Sequence, residues 1–144
     1  HHHHSLRAIE LYKSKPIFYG LGAFIHHFSE FHVSPAKLAA AKARFGEYFV
    51  GPRADFPLFP FHADARMTCV ATIDFAKGQS PRAGFIPAVT HADGGTEPLR
   101  ASDPGAARIV DYVKKVTAHV RANTRFEAGE RHGWSFISAQ PAAQ

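Results

Sequence analysis

At 144 residues the chain fits one domain, and 45% hydrophobic against 20% charged residues is an ordinary globular balance that argues against disorder. The formal charge of +5 comes from arginines and lysines scattered among apolar and acidic residues. A nucleic-acid interface, which needs a dense basic patch, therefore has no support, although such a surface favours anionic ligands. No run approaches the roughly 18 apolar residues of a membrane span and no signal peptide is visible; Cys69, the single cysteine, reads as a buried, inert thiol.

Arg7 to Tyr12 reads as a short strand, Lys13 to Pro16 as a turn, and Ile17 to Tyr19 as a second strand, apolar as if both faces were covered. This hairpin feeds the glycine-punctuated segment from Tyr19 to Ile25. Ser34-Pro35 is a helix start, with a serine oxygen for the free N–H groups and a proline where no hydrogen bond is lost; the Ala-rich helix runs to about Phe45. Gly51 to Pro60, with three prolines, is an irregular loop. Met67 to Phe75 alternates as a strand, Lys77 to Ser80 turns, and Arg82 to Val89 forms its partner, where Gly84 and Pro87 suggest a bulge or an edge. His91 to Ser102 reads as a loop. Asp103-Pro104 opens a second helix whose stripe is Ala106, Ile109, Val110, Val113, Val116 and Val120. From Asn123 the tail reads as irregular, docked by Trp134 and Phe136. The residues alone thus give a mixed α and β chain with two strand pairs and two helices.

The densest chemical feature is His1-His2-His3-His4. Alternate histidines on an extended segment project to one side, so His2 and His4 can meet a single metal cluster. The competing reading is a purification-tag remnant. Histidines alone also leave a hydrolytic site short of carboxylates.

The continuation from His1 to Ile25 resembles a signature of the poly-γ-glutamate capsule synthesis (CapA-like) family. There a His-His-Pro-His element leads through a strand ending in Ile-Glu and a Lys-Gly-Lys-type turn to a strand of the type Ile-Tyr-Ser-Leu-Gly-Asn-Phe. The later order is similar too, through Met67-Thr-Cys-Val-Ala, Phe85-Ile-Pro-Ala-Val, Glu97-Pro-Leu-Arg and the helix at Asp103-Pro.

The resemblance implies a branch of the calcineurin-like metallophosphoesterases. The expected fold is α/β (mixed α+β), the C-terminal part of a layered metallophosphoesterase-like β-sandwich flanked by helices, with residues 1–144 as one domain or segment of a larger one. It implies a two-metal site with divalent ions roughly 3.5–4 Å apart that lower the pKa of a bridging water. His2 and His4 map onto the family's late ligand pair, and His1 onto the histidine before it. His3 stands at the proline position. The family's earlier Asp, Asn-x-Glu-like and Gly-Asn-His elements are not in this chain, so a missing part or a partner would supply those ligands. Ala23 replaces the Asn of Ser-Leu-Gly-Asn-Phe. The implied activity is hydrolysis of a phosphoester or related anionic substrate, small or polymeric, in a bacterial protein that is envelope-associated through a preceding segment or otherwise cytoplasmic. The alternative is a non-catalytic component of cell-envelope polymer assembly.

Other candidates have simpler readings. His26, His27 and His32 fit a polar strand end; His62 with Asp64, and His91 with Asp93, fit surface loops. Glu10 could orient a histidine or be an edge charge. Phe56, Phe59 and Phe61 read as packing, and Gly20 and Gly22 as close backbone approach rather than a phosphate loop.

Overall fold

The computed structural model describes residues 3–25, 34–46, 51, 55–58 and 61–142. The expected His26, His27 and His32, and half of the 51–60 loop including Phe59, lie outside them. The fold is mixed α+β, with two antiparallel sheets and two α-helices among the described residues.

β1 (Ile9–Tyr12) and β2 (Lys15–Phe18) form the first hairpin. Its two-residue turn, Lys13-Ser14, has φ of 49° and 61°, the left-handed pair whose twist matches that of the flanking strands. Lys15 and Pro16 therefore belong to the strand rather than the turn. β2 is not covered on both faces as expected, because Ile17 and Tyr19 are exposed.

α1 (Pro35–Phe45) starts where Ser34 Oγ accepts from the Lys37 N–H at 3.4 Å and stops at Gly46, φ 55°. A short 3-10 turn (Ala63–Arg66) leads into β3 (Met67–Asp74), which pairs along its length with β4 (Arg82–Thr90). β5 (Thr96–Pro98) returns on β4, where a loop was expected. The Gly95 carbonyl accepts from His91 N–H at 2.8 Å, closing the turn between them. α2 (Pro104–His119) follows.

The segment after Asn123 is not irregular. It makes β6 (Thr124–Arg131) and β7 (Trp134–Pro141), a hairpin turned by His132-Gly133 at φ 54° and 82°. The sheet order is β3-β4-β7-β6, with β5 beside β4. β4 is thus a central strand, which corrects the bulge or edge expected at Gly84 and Pro87. Glycine is needed because a Cβ at Gly84 would clash with the Phe136 ring and come within 2.6 Å of the Ile137 carbonyl oxygen. Proline is tolerated because β7 pairs only with Ala83–Phe85; at position 87 the sheet needs only the carbonyl, which accepts from Leu99 N–H at 2.8 Å.

α2 lays Ala106, Ile109, Val110, Val113 and Thr117 over one face of the sheet, against Met67, Cys69, Phe85, Ile137 and Ala139. Leu6 and Ile9 of the first hairpin enter the same core. The Ile9 N–H donates to Thr117 Oγ1 at 3.2 Å, which ties the small sheet to the helix in a sandwich-like layering. Val116 is only half-buried and Val120 is 56% exposed, so the expected apolar stripe leaves the core in the last turn of α2. No helix among the described residues is long and apolar enough to cross a membrane.

Candidate functional site

His3 to Leu21 forms a closed loop of chain around the first hairpin. Leu6 pairs with Leu21 in an isolated antiparallel bridge, and Arg7 N–H donates to the Gly20 carbonyl at 3.0 Å. The histidine end and the glycine-bearing segment therefore lie side by side. Gly20 and Gly22 serve close approach: a Cβ at Gly22 would come within 2.9 Å of the Met67 carbonyl oxygen and Thr68 Oγ1, and its φ is 80°. The carbonyls beyond are held by hydroxyls, Leu21 accepting from Thr68 at 2.9 Å, Ala23 from Thr90 at 3.4 Å and Phe24 from Thr96.

His4 is half-buried in a left-handed backbone conformation, φ 47°, which histidine adopts more readily than most residues but which still strains the chain. Its ring stacks on Phe61 with centroids 4.3 Å apart and planes at 15°. Phe61, with Phe56, packs on buried Ala23 and Ala65, and the Arg66 guanidinium lies 3.6 Å above the Phe56 ring. The position where the resemblance expects an Asn side chain is thus the centre of a small apolar cluster. Phe61, read from sequence as packing, does pack, but against the candidate ligand. Alternating aromatics around His62 were the available signal.

Of the expected ligands, His4 lies within the described residues and His1 and His2 lie outside them. No group of three or more His, Cys, Asp or Glu side chains among the described residues is placed to hold a metal ion. The described donors therefore do not complete a centre by themselves.

The secondary candidates have local duties. His62 Nδ1 accepts from Asp64 N–H at 3.1 Å and caps the 3-10 turn, with Asp64 Oδ2 3.6 Å away. His91 Nε2 meets Glu97 Oε2 at 3.1 Å, while Asp93 accepts from Gly95 N–H at 2.9 Å, so the two are not a ligand pair. Glu10 accepts from the Tyr19 hydroxyl at 2.6 Å and does not orient a histidine; it holds the phenol above its usual pKa. Burial pushes the Cys69 thiol up to about 12, so it carries no thiolate chemistry at neutral pH.

His3 turns to a different place from His4. It lines a groove of about 640 Å³ between the first hairpin and α2, with Arg7 and Tyr19 on one wall and Tyr112, Lys115 and His119 on the other. Burial raises the Tyr112 pKa, Asp64 adds to the rise and Arg7 opposes it. Sequence reading missed this groove, although Tyr112, Lys115 and His119 stand at helical spacing on one face of α2. A larger hollow of about 700 Å³ at the end of the main sheet holds the Asp74–Arg131 pair, bidentate at 3.1 and 3.4 Å, so its central charges are already matched.

The chain matches no protein-family model and no curated protein.

Proposed function

We propose that the chain is part of a metal-dependent, phosphoesterase-like hydrolase domain of the capsule-synthesis type, acting on a phosphoester or related anionic substrate. In this reading His2 and His4, with His1, are the late histidine ligands, and carboxylate ligands come from outside these 144 residues. Divalent ions held there would supply a water of lowered pKa and neutralise charge that develops on the substrate.

The observation that carries the reading is the placement of His4. It does not stand off from the fold; it is half-buried, stacked on Phe61 and followed directly by the Leu6–Leu21 bridge to the glycine segment. A tag remnant has no reason to adopt a strained backbone conformation and pack on the protein's own aromatic cluster. The contribution of this chain's residues is positioning: the stack limits rotation of the imidazole, and the Thr68, Thr90 and Thr96 hydroxyls hold the adjacent segment.

A second reading, a non-catalytic component of envelope polymer assembly, is favoured by Ala23. Its neighbours are Ala65, Phe56 and Phe61, so an apolar contact occupies the place of a polar side chain.

The test is metal content by mass spectrometry and turnover of bis(p-nitrophenyl) phosphate, measured on the full-length protein and on its His2→Ala/His4→Ala variant. The expected result is bound metal and turnover, both lost in the variant. Metal without turnover selects the second reading. Metal content unchanged by the double substitution sinks both and returns the histidines to a tag.

A further inference from the structure

We propose that the groove between the first hairpin and the C-terminal half of α2 binds an oxyanion carried on an apolar body, at a site apart from the proposed metal ligands His1, His2 and His4. The proposal does not rest on the metal reading, because neither Arg7 nor Lys115 belongs to that ligand set.

The first observation is unmatched positive charge. Arg7 and Lys115 both line the groove and are both exposed, and among the described residues neither makes an ion pair or side-chain hydrogen bond. Among the described residues no carboxylate lines the groove. The acid on the same hairpin, Glu10, already accepts from the Tyr19 hydroxyl. An Arg fork and a Lys ammonium on facing walls suit a carboxylate or phosphate head. His3 and His119 line the same groove.

The second observation is the apolar surface beside that charge. Val120 is 56% exposed and Tyr19 47%, two of the large apolar side chains that this fold leaves in water, and they border the same groove. Between them lie half-buried Val116 and buried Ala8. Val116 and Val120 continue the core-facing stripe of α2 past the point where the protein covers it.

The helix decides which way a ligand lies. α2 ends at His119, and the negative end of its dipole opposes an anion there. Lys115 sits about one turn back, across from Arg7. Beyond Tyr112 and Lys115 the adjoining pocket carries Asp64 and Asp111 together with Arg108, so carboxylates stand on that side and none on the side of Arg7 among the described lining residues. The head therefore falls between Arg7 and Lys115, with the apolar body running toward Val120.

Hexylphosphonate, which no phosphoesterase can hydrolyse, is the probe, titrated calorimetrically into the full chain beside hexanoate, inorganic phosphate and hexanol. Hexylphosphonate or hexanoate should bind more tightly than phosphate or hexanol, and the stronger of the two identifies the headgroup. Arg7→Ala and Lys115→Ala should each weaken binding roughly tenfold, the value of one charge-assisted hydrogen bond. Val116→Asp should weaken it as well, whereas His4→Ala should leave it unchanged, which separates this site from the metal site. Both cations are exposed, so circular dichroism should show the variants folded. Equal binding of hexanol, equal binding of bare phosphate, or affinity indifferent to both Arg7→Ala and Lys115→Ala would each overturn the proposal.

Discussion

α1 and α2 both begin on a capped first turn with proline at its start, yet α2 buries five residues and α1 buries none. Their caps follow one rule, Ser34 Oγ accepting from Lys37 N–H and Asp103 Oδ1 from Gly105 N–H at 2.7 Å. The difference lies in the stripe. α2 repeats branched apolar residues at Ile109, Val110 and Val113, while α1 offers mostly alanine with Leu38 and Phe45, and Phe45 is 51% exposed. Capping and propensity decide where a helix starts and stops. Burial of a stripe decides whether the domain depends on it.

The strongest way to break this comparison is to remove equivalent apolar bulk from each helix. Ile109 is 2% exposed and packs in the central cluster with Phe85 and Ile137, so Ile109→Ala should cost about 2–5 kcal/mol through lost transfer energy and a residual cavity. Leu38→Ala removes a half-buried side chain from a helix with no buried residue, and should stay within about 0.5 kcal/mol. Urea unfolding measures both. Equal losses would mean that α1 is part of the cooperative core.

The core beneath α2 also traps an ionisable group, and pH gives a smaller second test. Burial raises the Cys69 pKa from 9.0 to about 12, because the thiolate is disfavoured there. Between those values the folded thiol stays protonated while the unfolded one ionises, so the folded state binds more protons and stability falls as pH rises. The stabilisation is fully present below about pH 9 and declines toward pH 12. At pH 10 the loss is on the order of 1 kcal/mol relative to pH 8. Tyrosines and lysines titrate nearby, so the comparison is with Cys69→Ala, whose stability should fall less over the same interval. Identical slopes would remove Cys69 as the cause.

What could be read from the sequence follows the same physics. Both helix starts, the β3–β4 pair and the first hairpin are local signals, an oxygen before a proline or alternation broken by a turn, and they appear where expected. β5, β6 and β7 were missed because their reasons are not local. β6 is an outer strand with Arg125, Glu127 and Glu130 exposed, so it carries little apolar alternation, and His132-Gly133 is a weaker turn signal than Asn-Gly. Gly84 looked like an interruption until Phe136, 52 positions later, was seen to cross it. In the candidate site, the hairpin that leads from the histidine segment to the glycine segment was legible as two short strands about a turn, and the Leu6–Leu21 bridge that closes it was not. The Phe61 stack and the Arg7–Lys115 groove join residues 57 and 108 positions apart, and no spacing rule reaches that far.

The finest test of the contrast uses the caps themselves. Asp103→Ala frees the Gly105 N–H and removes a negative charge from the positive end of α2, which should cost about 1 kcal/mol of global stability because α2 unfolds with the core. Ser34→Ala removes the same kind of acceptor from α1, where the hydrogen bond is longer, 3.4 Å, and no residue is buried. Its effect should be a few tenths of a kcal/mol or less on global unfolding. It should show instead as faster amide hydrogen exchange confined to Leu38 through Phe45, the residues whose helix the cap starts. If both substitutions lower the urea midpoint equally, the caps have equal tertiary consequences and the buried stripe is not what distinguishes the helices. If only Asp103→Ala does, one capping rule has been measured in two settings, and the difference between them is the contribution of packing.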